Sequence, residues 1–165
     1  MRHQHPSCPG CGVRLADAAG PTHRYLEASP ACWATYGEVL AREYQDPAYM
    51  AVHRLTVDAY AVQHPGRPSP QTVQSVAVHL ISLHAVLELD LEMNEATRLI
   101  GRATESQEYG WLTRPESLGS LTVADVVGAG SAGEHADAVR AWAESAYGAW
   151  REHHAQIREW AGAVR

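Results

Sequence analysis

The sequence predicts an all-α protein: an antiparallel bundle of four to five helices carrying an N-terminal zinc-stapled loop. Three observations carry that expectation. Three stretches open with a capping residue followed directly by proline, at Ser29-Pro30, Asp46-Pro47 and Ser69-Pro70. A Ser or Asp oxygen accepts a free N–H of the first turn, and proline at the first helical position lacks an N–H that would go unpaired there. No run alternates apolar and polar residues as a half-buried strand would. Finally, the opening segment is rich in Gly, Pro, His and Cys without helical period and contains "CPGCG", and so short a segment needs a staple. The organisation expected is a zinc-knuckle loop over 1–28 packed on a helical bundle over 29–165.

The elements follow in order. A helix runs from Pro30 to about residue 44. A second opens at Pro47 behind Asp46 and stops at Pro65-Gly66. A third opens at Pro70 and runs to about residue 89, and the pattern continues helically through "LEMNEATRLIGRAT" to about 104. Residues 105–121, with Gly110, Pro115 and Gly119, are irregular. A short helix sits in "LTVADVV", where Thr122 and Asp125 form a capping box. After the flexible "GAGSAG", the longest helix spans about 134 to 161.

Composition narrows the function. The net charge is -6 and no Lys/Arg run stands out, which argues against nucleic acid and anionic membrane surfaces as partners. No stretch approaches the roughly 18 apolar residues of a membrane span, and the N-terminus lacks a signal-peptide core. The expectation is a cytoplasmic protein with reduced cysteines, able to act as a homodimer. Three cysteines exclude an all-disulfide framework. Ten histidines in 165 residues is the most informative compositional fact.

Cys8-Pro9-Gly10-Cys11-Gly12 has the form of a zinc knuckle, whose turn aims backbone N–H groups at the sulfurs. Cys32 falls in the first turn of the helix opening at Pro30, where the helix N-terminus favours a thiolate. Three sulfurs and one nitrogen make a normal closed zinc set. His23 lies between the cysteines in sequence, so the expected structural set is Cys8, Cys11, His23 and Cys32. His64 is the alternative fourth ligand, supplied by a helix packed under the loop. His3 and His5 lie on a terminus prone to fray.

Other histidines fall on helices. His53 and His64 are close to three turns apart and share a face, with Asp58 about 140° from His53. His79 shares a stripe with Thr72, Ser75 and Ser82, which suits a pocket wall, whereas His84 lies on an apolar face and reads as packing. His153 lies on the stripe of Trp142, Ala146, Ile157 and Trp160, with His154 beside it. Facing helices build metal sites in this way. The expected second centre draws on His64, His79 and His153, with Asp58, His79 and His154 as catalytic residues. Zinc, copper, iron or nickel all suit such ligands, and a bound water would be activated toward a small-molecule substrate. The resulting reading is a metal-dependent hydrolase or transferase acting through water or a thiol. Its competitor is a non-catalytic zinc module for interaction or metal storage.

"CPGCG", "ASPACW", "LTVDAYAVQHPG", "VAVHLISL", "TVADVV" and "WREHH" together resemble a family of small uncharacterised bacterial proteins opening with the same knuckle. More remotely the chain is similar to DinB-like metal-binding four-helix bundles, which implies a His triad in the bundle and thiol transfer or hydrolysis. The last helix departs from that pattern, with Arg158 where a second His after His154 would fall.

Overall fold

A computed structural model describes residues 5–164 of the chain. Among them the regular elements are helices, and strand-like pairing is limited to two isolated bridges, Ser7 with Arg14 and Leu26 with Pro65. The three Ser-Pro and Asp-Pro starts form as the sequence predicts. Ser29 Oγ accepts from Cys32 N–H at 3.2 Å to open α1 (Pro30–Gln45). Asp46 Oδ1 accepts from Ala48 N–H at 2.9 Å to open α2 (Pro47–Met50). Ser69 Oγ accepts from Thr72 N–H at 3.1 Å to open α4 (Pro70–Leu87).

Three expected continuities are broken. The helix opening at Pro47 bends at Ala51–Val52 and restarts as α3 (His53–Gln63). The bend lets α2 pack against α1 and α7 while α3 enters the core. The stretch 70–104 is two helices: α4 ends at Leu87, and α5 (Met93–Ser106) turns back across it. Asp90, at φ 58°, occupies the left-handed region in that turn, where a short polar side chain is tolerated. An unbroken helix there would extend roughly 50 Å. The turn instead lays the buried stripe Ala96, Leu99 and Ala103 of α5 against its neighbours.

After the short α6 (Ala124–Val127), whose start is held by Asp125 Oδ2 accepting from Thr122 N–H at 2.8 Å, α7 runs over Ala132–Ala149. It does not continue to 161. A single 3₁₀ turn over Arg151–His153 leads into α8 (His154–Ala163). The break sits at Trp150, which is buried and donates its Nε1–H to the Val62 carbonyl at 3.1 Å.

The core is centred on α3 and α4, which pack on each other and on α7, α5 and α8. Along α3, burial is nearly continuous from Leu55 to Gln63. Gln63 is fully buried and fully used. Its Nε2 donates to Leu118 O and Leu121 O at 2.9 and 2.7 Å, and its Oε1 accepts from Trp142 Nε1–H at 2.7 Å. This ties the irregular loop of 107–121 to the end of α3. Among the described residues no helix is long and apolar enough to cross a membrane.

Candidate metal centre

The N-terminal segment comes to rest on the C-terminal end of α3. Cys8 N–H donates to Val13 O at 2.8 Å and Gly12 N–H to Cys8 O at 3.0 Å, closing the knuckle turn. Gly12 sits at φ 77°, which glycine accepts without strain. Glu27 N–H donates to His64 O at 3.1 Å, so both ends of the segment meet the end of α3. Gly10 is pressed flat against that helix end. A Cβ there would lie 2.6 Å from Glu27 O and 2.8 Å from Gln63 O, and would collide with the His64 ring.

This contact gathers Cys8, Cys11, Cys32 and His64, with one ligand atom from each lying within 4.8 Å of all the others. Cys11 Sγ and Cys32 Sγ are 3.8 Å apart, and His64 Nε2 is 3.4 Å from Cys32 Sγ. Cys8, Cys32 and His64 are buried while Cys11 is partly exposed. All three cysteines are unpaired thiols. Among the described residues this is the one such group of His, Cys, Asp or Glu.

His64 is aimed by its surroundings. Its Nδ1 lies 2.7 Å from the Tyr60 carbonyl. A carbonyl only accepts, so Nδ1 carries the proton and Nε2 presents its lone pair to the sulfurs. The ring is stacked on Tyr60 at 3.9 Å, and Tyr60 on Tyr36 at 3.8 Å. The sulfurs receive support as well: Ser29 N–H donates to Cys8 Sγ at 3.4 Å, and Tyr60 Oη lies 3.5 Å from Cys32 Sγ.

The three thiols shift one another's acidity. Hydrogen bonds from Cys11 and Cys32 push the Cys8 thiol far below its usual range. The Cys11 thiol is pushed up to about 12: its bond with Cys32 favours ionisation, but its bond with Cys8 and burial outweigh that. Cys32 is pushed up by Cys11, by Cys8 and by burial. A cation among them would let all three ionise.

His23, expected as the fourth ligand, stands outside this group. It lies half-buried on the loop, its ring edge-on to Tyr25 at 4.4 Å and tilted toward Trp33 at 5.4 Å. Its Nδ1 accepts from Tyr25 N–H at 3.3 Å, and burial lowers its basicity. His64 fills the position instead, because α3 ends under the knuckle. His5 is exposed, and His3 lies outside the described residues.

The second centre expected from His64, His79 and His153 does not assemble. His64 belongs to the cysteine cluster. His79 Nδ1 pairs with the buried Asp58 Oδ1 at 2.7 Å, while Ser82 Oγ donates to Asp58 Oδ2 at 2.5 Å and Arg54 Nε to Oδ1 at 3.0 Å. The break at Trp150 turns His153 off the core stripe, and its Nε2 meets Thr113 O at 2.8 Å. His154, expected to act beside Asp58 and His79, instead stacks on Tyr147 at 4.1 Å and places Nε2 3.0 Å from the Tyr147 carbonyl. His53 shares with His64 the face of α3 turned to the buried stripe of α1, where it pairs with Glu43 at 2.6 Å while His64 meets Cys32.

That glutamate was not anticipated. Glu43 is fully buried and held by His53, by His135 at 2.9 Å and by Thr56 Oγ1 at 2.5 Å. Its trace in the sequence is the spacing Cys32, Tyr36, Val39, Glu43, which puts a carboxylate on the buried stripe of α1. Arg114 was also missed. It donates to Pro9 O at 2.6 Å and Gly10 O at 3.0 Å, clasping the knuckle from the 107–121 loop. Nothing in its local sequence signals that contact.

Fold and site together define an all-helical protein with a three-cysteine, one-histidine candidate metal centre. The chain belongs to DUF5946, a family of unknown function, whose model matches residues 6–151 and so includes all four clustered residues. No curated protein and no solved structure matches this chain.

Proposed function

We propose that this protein is a zinc-stapled helical protein. One ion is held by Cys8, Cys11, Cys32 and His64, and its role is to fasten the N-terminal segment to α1 and α3. The observation that carries this reading is the spacing of the ligand atoms around a preset imidazole. A tetrahedral zinc with Zn–S of about 2.3 Å and Zn–N of about 2.0–2.1 Å sets sulfurs about 3.8 Å apart and S···N about 3.5 Å apart. The corresponding separations are 3.8 Å for Cys11–Cys32 and 3.4 Å for Cys32–His64. Thiolate-rich tetrahedral sets favour zinc over harder cations. Four protein ligands leave no coordination position for water, which supports a structural role over a hydrolytic one. Such a thiolate site belongs in a reducing compartment.

Elemental analysis of untagged protein should give one zinc per chain. His64→Gln should lose most of it, while His23→Gln should keep it. Full zinc in His64→Gln with loss in His23→Gln would return the fourth position to His23 and overturn the assignment.

A further inference from the structure

We propose that Cys11 is an oxidation site, through which hydroperoxides convert the metal centre into a Cys11–Cys32 disulfide and release the ion. This inference rests on the metal reading above and concerns the regulation of that same site.

The four ligands are unequal in a way their coordination does not require. Cys32 and His64 are fully buried and Cys8 is nearly so, whereas Cys11 is partly open to solvent. Cys8 Sγ is further engaged by the Ser29 N–H, and Cys32 Sγ is enclosed by Tyr60 and His64. Cys11 is thus the one residue of the four with surface open to solvent, and an electrophile arriving from water reaches that residue first. Behind it, 3.8 Å away, lies the Cys32 sulfur, already in contact and placed to resolve the product.

The chemistry balances in two steps. The Cys11 thiolate attacks one peroxide oxygen, the O–O bond breaks, and a sulfenic acid and one hydroxide (or alkoxide) form. The Cys32 thiolate then attacks the Cys11 sulfur, the S–O bond breaks, and a second hydroxide leaves as the S–S bond forms. Two protons from solvent neutralise the two leaving groups. Each sulfur gives up one electron, and the two peroxide oxygens take them. Cys8 and His64 remain as ligands, and two are too few to retain a tetrahedral ion. The new bond joins the knuckle to the first turn of α1, so it preserves covalently the tether the metal had provided. The change is accordingly reversible by a thiol reductant with zinc present.

The test uses the full-length, metal-loaded chain. Hydrogen peroxide is added in the presence of a chromogenic metal chelator, with dimedone to trap sulfenic acid at early times, followed by peptide mapping. The expected result is a dimedone adduct on Cys11, then a Cys11–Cys32 bond with Cys8 still alkylatable. One metal per chain is released in step with that bond, and dithiothreitol with added zinc reloads the site. A first adduct on Cys8 or Cys32, a disulfide containing Cys8, or metal retained while the Cys11–Cys32 bond forms would overturn the inference and leave the metal reading standing. If untreated protein carries no metal yet the same bond forms through Cys11, the metal reading fails and Cys11 stands as the oxidation site alone.

Discussion

Position 10 has no room for a methyl group. The backbone of Gly10 lies on the Gln63 and Glu27 carbonyls and the His64 ring, and this approach brings the knuckle sulfurs to the imidazole. Gly10→Ala should lift the knuckle, weaken metal binding and cost about 1–3 kcal/mol through overpacking. Denaturant unfolding of the metal-loaded protein measures the cost, and competition with a chelator measures the affinity. An unchanged unfolding midpoint would show that the knuckle does not rest on α3. At the same scale, the tautomer of His64 is set by the Tyr60 carbonyl one turn earlier. The sequence shows His64 and Tyr60 at helical spacing, but it does not show that the helix stops there with its last imidazole turned to the sulfurs.

Capping chemistry is local, and for that reason α1, α2 and α4 begin where their Ser-Pro and Asp-Pro pairs place them. Where helices end or bend is less local. The breaks at Ala51–Val52, at Asp90 and at Trp150 follow from what each flanking helix must pack against. The end of α4 is also an acid-sensitive element. His84 is nearly buried there, pairs with Glu88 at 3.0 Å and is faced by Arg158 and His154 from α8. Burial, reinforced by Arg158 and His154, lowers its basicity below the usual 6.5 despite the attraction of Glu88. The unfolded chain therefore binds this proton more readily than the folded one. Stability from His84 is present above about pH 6.5 and is lost as pH falls through the lowered folded value. Glu88 adds to the same trend at lower pH: burial opposes its ionisation, but bonds from Arg158 and Tyr147 hold it below 4.5. Thermal melts between about pH 5 and pH 8, where imidazole titrates, should show a shallower acid dependence in His84→Gln than in the parent chain. Equal slopes would remove His84 as a source of acid sensitivity.

Over the whole molecule, the 107–121 loop is irregular yet anchored. Arg114 holds the Pro9 and Gly10 carbonyls, Gln63 holds Leu118 and Leu121, and Ser145 Oγ accepts from Ser120 N–H at 2.9 Å. Two of those anchors lie at or beside the proposed metal ligands, so if the site holds an ion its loss should loosen the N-terminal segment and this loop together. Chelation should lower the melting temperature and increase amide exchange in residues 5–28 and 107–121, while α4 and α7 stay protected. Ligand linkage predicts about 4 kcal/mol of stabilisation at a free metal concentration 1,000 times its dissociation constant. Exchange confined to the knuckle would show that the loop is held independently of the metal.

The sequence by itself determined what depends on neighbours along the chain: the helical class, the three proline-led starts, the Thr122–Asp125 turn and the Cys8–Cys11 knuckle with Cys32 at a helix N-terminus. Each rests on dihedral preference, capping or a turn closing within a few residues. Tertiary structure decided which imidazole meets those sulfurs, because His23 and His64 are chemically equal and differ only in where α3 ends. It also decided that the remaining histidines part company, with His79 on Asp58, His53 and His135 on Glu43, and His153 and His154 on backbone carbonyls. Helical periodicity assigns a residue to a face, but the partner of that face is set by bends and packing over separations of many tens of residues.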